Sequence, residues 1–145
     1  MNSNDLVELT VPAVFDSYDR VTAFVEAELE KRDCPITAQS QISIALDEIY
    51  SNIVNYAYPD GTDGELTLQL AFEPENAEDL VCMTFIDNGV PYNPLIKSDP
   101  DTTLSAEERE VGGLGIFMVK QLMDHMEYEF RGGQNILILK KKFKV

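Results

Sequence analysis

The sequence predicts an α+β fold, a two-layer sandwich in which a mixed, mostly antiparallel sheet carries its helices on one face. Three observations lead there. Two long stretches, Phe15 to about Lys31 and Thr37 to about Tyr58, carry apolar residues at helical spacing. In GELTLQLAFE, Leu66, Leu68, Leu70 and Phe72 alternate toward one side, as in a half-buried strand. LVCMTFID and ILIL are apolar on both sides, which suits strands inside a sheet rather than at its rim.

Each element follows in order. Residues 5 to 11 alternate like a short edge strand. The first helix comes next, with Asp16 or Ser17 as its candidate cap, and Pro35 separates it from the second. Thr37 is the expected cap of the second helix, and the breakers in YPDGTDG stop it. GELTLQLAFE and LVCMTFID supply two strands. Residues 92 to 112, with Pro94, Pro100 and many acids, show no periodicity and form the longest irregular segment. A third helix is entered through the glycines of VGGLGIFMVKQ, and a short strand near Met126 to Phe130 precedes ILIL at 136 to 139. With 145 residues, 44% of them hydrophobic, and no repeat or linker-like shift in composition, the chain reads as one domain, residues 1–145.

Charge excludes some partners. Twenty-six acids against eleven bases leave a net charge of −15, which repels phosphate backbones and anionic lipid. Neither nucleic acid nor membrane is expected as a partner. No apolar stretch approaches the ~20 residues that span a bilayer, and MNSNDLVELT lacks the basic and apolar regions of a signal peptide. A cytoplasmic location is expected. The basic tail KKKFKV reads as a solvated face or edge protection without further function, and Cys34 and Cys82 as plain thiols.

Three constellations can carry chemistry. In ALDEIYSNIVNYAY an apolar stripe of Ile42, Leu46, Ile49 and Ile53 is edged by a polar line of Glu48, Asn52 and Asn55. A solvated helix flank would look alike, yet two asparagines inside a helix are weak helix formers with no capping role. A carboxylate can accept a proton, and an amide oxygen can ligate a hard cation such as Mg2+. The second constellation is FIDNGVPYNP, where Asp87 emerges at a strand end suited to a planar amino group and Gly89 permits close approach of a ligand. The alternative is a tight turn through NG, although PYNP makes a poor returning strand. The third is the glycine entry at 112, 113 and 115, which leaves helix N-terminal amides open to a phosphate, or else serves close packing alone. Glycine costs a helix about 1 kcal/mol relative to alanine, so bare backbone must be needed there.

In this order, EIYSN, DNGVP and GGLGI resemble the N, G1 and G2 boxes of the GHKL (Bergerat-fold, HATPase_c) ATPases. Within them, the short chain and the segments ALDEIYSNIVNYAYP and GGLGIFMVKQLMD look most like the stand-alone anti-sigma-factor serine/threonine kinases of bacteria. The resemblance covers nearly the whole chain. It implies Glu48 as catalytic base, Asn52 as Mg2+ ligand, Asp87 as acceptor of the adenine amino group with Gly89 beside it, and Gly113, Leu114 and Gly115 along the phosphates of ATP. It implies residues 92 to 112 as the ATP lid and, through Asn135 in GGQNIL, a water-mediated contact near the adenine where many relatives have threonine. Tyr56 departs from the histidine common in these kinases, and the lone His125 reads as a structural or surface residue rather than a phosphoacceptor.

The function so implied is a Mg·ATP-dependent protein kinase that phosphorylates a small STAS-domain anti-sigma-factor antagonist and sequesters a sigma factor; a homodimer is the assembly the resemblance allows. The alternative is a non-catalytic ATP-binding regulatory module that acts by holding its partner. A strongly acidic chain can hold a nucleotide only where a metal and aligned backbone donors offset the field locally.

Overall fold

The computed structural model describes residues 6–59, 62–75, 78–96 and 113–144. Within them, strand β1 (Leu6–Pro12) is followed by helices α1 (Tyr18–Lys31) and α2 (Ile36–Asn52), strands β2 (Glu65–Glu75) and β3 (Glu78–Asp87), helix α3 (Gly113–Leu122), and strands β4 (His125–Arg131) and β5 (Gln134–Phe143). The strands form one sheet in the order β1-β2-β3-β5-β4, and every ladder is antiparallel. The α+β sandwich read from the sequence is thus the fold, and the segment LVCMTFID lies at its centre.

The helices cover one face of the sheet. Leu66, Leu68, Leu70 and Phe72 of β2, Val81, Met83 and Phe85 of β3, and Leu137 and Leu139 of β5 are all buried there. They meet Val21, Val25 and Leu29 of α1, Ile42, Leu46 and Ile49 of α2, and Ile116 and Val119 of α3 in one apolar core. Cys82, Thr84, Ile86, Ile136 and Ile138 point the other way and are only half-buried. LVCMTFID and ILIL therefore alternate in burial although they do not alternate in polarity, because only one face has helices to cover it.

Two helix starts differ from expectation. Pro35, extended at ψ 149°, holds the N-cap position of α2, and Thr37 falls inside the first turn. Pro35 leaves the reversal at Asp33 in an extended conformation, and its carbonyl takes the first helical bond from the Gln39 N–H at 2.9 Å. Ser17 does hold the N-cap position of α1, but its side chain makes no cap bond, since a 3-10 turn at Phe15–Ser17 feeds the helix instead.

The basic tail also has a different setting. β5 lies between β3 and β4, but β4 pairs it only as far as Lys140, so Lys141–Phe143 pair with β3 alone, and the Lys141 ammonium donates to the carbonyl of Leu122 at 2.8 Å, capping the end of α3. His125 opens β4, half-exposed, with Nε2 3.3 Å from Glu127 Oε2. Both cysteines are free; Cys34 is buried, which pushes its thiol up to about 11. At neutral pH Cys34 is therefore expected to resist iodoacetamide in the folded protein and to react only on unfolding, as mass spectrometry of the alkylated chain will show.

Candidate functional site

α2 presents Glu48 and Asn52 one turn apart. The Asn52 amide donates to the Glu48 carbonyl and to Glu48 Oε2, each at 2.7 Å, and Asn52 is buried. That double bond to the preceding turn explains how a poor helix former is tolerated. Directly after Asn52 the helix widens into a π turn, Ile53–Ala57. The Ala57 carbonyl there accepts from the Val90 N–H at 2.8 Å, so the chain after β3 docks on the end of α2. A Cβ on Gly89 would stand 2.2 Å from that carbonyl oxygen. The close approach expected at Gly89 is thus made by the protein's own backbone. Asn55 lies outside the site: it is exposed and bonds Ser51 Oγ at 3.4 Å.

Asp87 ends β3 and is 3% exposed. Its Oδ1 accepts from Asn135 Nδ2 and from the Gly89 N–H, both at 2.8 Å, while among the described residues Oδ2 accepts nothing. Burial raises the carboxyl above its ordinary range, and the two hydrogen bonds pull it part of the way back. An acid whose folded pKa is raised binds more protons folded than unfolded, so its contribution to stability falls as pH rises from the ordinary carboxylate range through the folded value. Asp87→Asn keeps an oxygen for both donors and removes the buried charge. The ligand-free variant is expected to be more stable than wild type at pH 8 and nearly equal at pH 4, read by urea melts; a wild type that wins at pH 8 refutes this.

Tyr92 shapes the remainder. Its hydroxyl donates to Asn52 Oδ1 at 2.8 Å, and its ring stacks on Tyr56 with centroids 5.2 Å apart. The cavity between Asn52, Phe85, Asp87, Tyr92, Tyr128 and Asn135 is thereby reduced to about 10 Å³, too small for more than a single water. On the other side of α2 a cavity of about 410 Å³ is lined by Phe15, Tyr18, Ile44, Glu48, Gly115 and Met118. The Asn52–Glu48 hydrogen bond links the two compartments.

α3 packs across α2 and begins at Gly113. A Cβ on Gly115 would lie 2.0 Å from Glu48 Cδ, so the bare backbone lets the carboxylate sit against the first turn of α3. Leu114 belongs to the same turn. Gly112, and the lid beyond residue 96, lie outside the described residues.

The structure brings Glu48, Asn52, Asp87, Gly89, Gly115 and Asn135 to one end of the sheet and α2. Sequence reasoning missed Tyr92 and Tyr128, whose hydroxyls bond Asn52 and Asn135. The available signal was the amides themselves, since buried asparagines need partners.

These residues fit a magnesium-bound adenine nucleotide. Asp87 Oδ2 offers an acceptor for a planar amino group, in a cavity with apolar walls of Ile53, Phe85 and Leu137. Asn52 Oδ1 retains a lone pair beyond the one Tyr92 uses, and would offer one oxygen ligand to a hard cation.

A profile of the family described as "Histidine kinase-like ATPase domain" matches residues 11–141. The serine-protein kinase RsbW of Bacillus pumilus is 25% identical over 142 residues, covering 94% of this chain and 85% of that protein. The serine-protein kinase RsbW of Listeria monocytogenes is 27% identical over 107 residues, 71% of this chain and 66% of that protein. The serine/threonine-protein kinase BtrW of Bordetella bronchiseptica is 28% identical over 98 residues, 68% of this chain and 66% of that protein. For the last two the match spans just under two thirds of the relative's length. The crystal structure of the RsbU and RsbW domains of Rv1364c from Mycobacterium tuberculosis superposes with a TM-score of 0.66 at 16% identity, over 95% of this chain and 32% of that one; that likeness is one of fold.

Proposed function

The chain belongs to the histidine kinase-like ATPase domain family, and from that premise we propose that it is a Mg·ATP-dependent serine/threonine protein kinase of the anti-sigma-factor type. Its substrate is a small STAS-domain antagonist protein, its rival ligand a sigma factor, and its place of work the cytoplasm. No helix among the described residues is long and apolar enough to cross a membrane.

One observation carries the kinase reading. The Glu48 carboxylate is tied on one side to Asn52, which leads to the base pocket, and opens on the other into the cavity of about 410 Å³. A hydroxyl carried by a partner can enter that cavity and meet Glu48 beside the start of α3. Glu48 then orients the hydroxyl and takes its proton as the oxygen bonds to the γ-phosphorus and the bond to the ADP oxygen breaks. Asp87 holds the base, Asn52 offers Oδ1 to the cation, and the amides of Gly113, Leu114 and Gly115 face the phosphates. Bound Mg2+ would supply charge neutralisation on the phosphoryl oxygens.

The test is labelled ATP added to the protein with its co-purified partner. Label on a serine or threonine of the partner supports the kinase. A stoichiometric complex without label is the result expected of a non-catalytic ATP-binding regulatory module, and absence of Mg·ATP binding in calorimetry defeats both.

Tyr92 gives a further check. Its ring occupies space that the nucleotide needs, and its hydroxyl takes one of the two lone pairs of Asn52 Oδ1, so binding displaces the ring and is opposed by that hydrogen bond. Tyr92→Phe removes the competing hydrogen bond, whose net worth is about 1 kcal/mol, and is expected to bind Mg·ATP several-fold more tightly in calorimetry. Weaker binding by the variant would mean that the hydroxyl assists the bound state.

A further inference from the structure

Asn135 is 3% exposed, and its amide is fully engaged. Nδ2 donates to Asp87 Oδ1 and to the Val90 carbonyl, both at 2.8 Å. Oδ1 accepts from the Tyr92 N–H at 3.0 Å and from the Tyr128 hydroxyl. A primary amide has two donor hydrogens and two acceptor lone pairs, so four bonds exhaust it. Nothing remains to hold a base or the water expected to bridge to one.

The strand register sets this junction. Gly132 and Gly133, with φ of 62° and 80°, make the two-residue turn that pairs Arg131 with Gln134. That pairing brings Asn135 directly opposite Asp87 across β3 and β5. A slip of one residue would turn the amide to the other face.

We propose that Asn135 is a positioning residue: without touching the nucleotide, it fixes the Asp87 carboxylate and the chain at Val90 and Tyr92, and thereby makes the pocket select a base with an exocyclic amino group over one with an oxo group. This rests on the ATP-site reading of Asp87. With Oδ1 held by Asn135 and Gly89, Oδ2 is the oxygen left without a partner among the described residues, as a fixed acceptor. An amino group satisfies it; an oxo group meets it lone pair to lone pair. Without the Asn135 donor the carboxylate can rotate, and its burial is less opposed, so it holds a proton more readily and can donate to an oxo group. Among the described residues the other titratable groups facing Asp87 or its cavity are the phenols of Tyr58, Tyr92 and Tyr128; those of Tyr58 and Tyr128 are raised by burial above their ordinary value and neutral throughout the range tested.

The experiment compares Mg·ATP with Mg·ITP, whose base carries an oxo group at the same position, by calorimetry at pH 6 and pH 8. The proteins are wild type, Asn135→Ala and Asn135→Thr. Asn135→Ala is expected to lose about tenfold or more of the ATP preference, with the larger loss at pH 6. Equal weakening of both nucleotides by Asn135→Ala and Asn135→Thr, at both pH values, overturns the proposal, because a merely structural role would act in that way. NMR titration of Asp87 in the ligand-free proteins separates this failure from failure of the ATP reading. A higher carboxyl pKa in whichever Asn135 variant folds is expected even if no nucleotide binds, and an unchanged one refutes the positioning role.

Discussion

Glu48→Gln is expected to bind Mg·ATP as wild type does and to transfer phosphoryl groups about 10²–10⁴ times more slowly, the usual worth of a positioned proton acceptor. The substitution suits the question because it changes so little else. Glutamine has the same shape, so it fits the space beside Gly115, and its oxygen can still accept from Asn52 Nδ2, now 2.7 Å from Glu48 Oε2. What disappears is the ability to take a proton from a hydroxyl in the adjoining cavity. Label transfer and calorimetry on the same preparation give both readings. Wild-type transfer by the variant would remove Glu48 from the mechanism; lost ATP binding would show that it serves the nucleotide site rather than the chemical step.

Gly115→Ala is expected to damage both stability and transfer, and the stability loss should be curable. The added methyl carbon would lie 2.0 Å from Glu48 Cδ and 2.2 Å from Oε1, so either α3 or the carboxylate must move. Overpacking of this kind costs about 1–3 kcal/mol. The obstacle is a side chain, and Glu48→Ala removes it. In a Glu48→Ala background the stability cost of Gly115→Ala should largely vanish, a coupling measurable by a double-mutant cycle in urea. Gly89 supplies the contrast, for a Cβ there would meet the backbone carbonyl of Ala57 at 2.2 Å, which no side-chain truncation can clear. If Glu48→Ala fails to relieve Gly115→Ala, the contact between α2 and α3 is not what keeps residue 115 bare.

The sequence made the scaffold legible because its signals were periodic. Leu66, Leu68, Leu70 and Phe72 had to share a face, and all four are buried. Glu48 and Asn52 had to share a helix edge, and they are hydrogen-bonded. What escaped is what depends on tertiary geometry. ILIL gives no hint that Ile136 and Ile138 face away from the helices, since burial depends on which side the helices choose. Thr37 met the chemistry of a cap, but Pro35 fixed the backbone two residues earlier. Asn55 lay on the expected line only for a regular helix; the π turn between Ile53 and Ala57 moves it off. Tyr92 sat in a segment without periodicity, and its place over Asn52 follows from the Val90 to Ala57 bond.

That wide turn makes the site sensitive to a count of residues. Five residues occupy it where a tighter coil would need fewer, and a residue of α-helix advances by about 100°. Excising one residue from 53–57 would swing the residues that follow by about that angle, a little over a quarter of a revolution around the axis. Ala57 would then no longer offer its oxygen to Val90, and the Tyr58 hydroxyl would lose Glu65 and Asn88. Such a deletion would leave the hydrophobic inventory almost intact and still uncouple the helix from the sheet end that carries Asp87. The segment works as a spacer whose length, more than its composition, keeps the two halves of the pocket in phase.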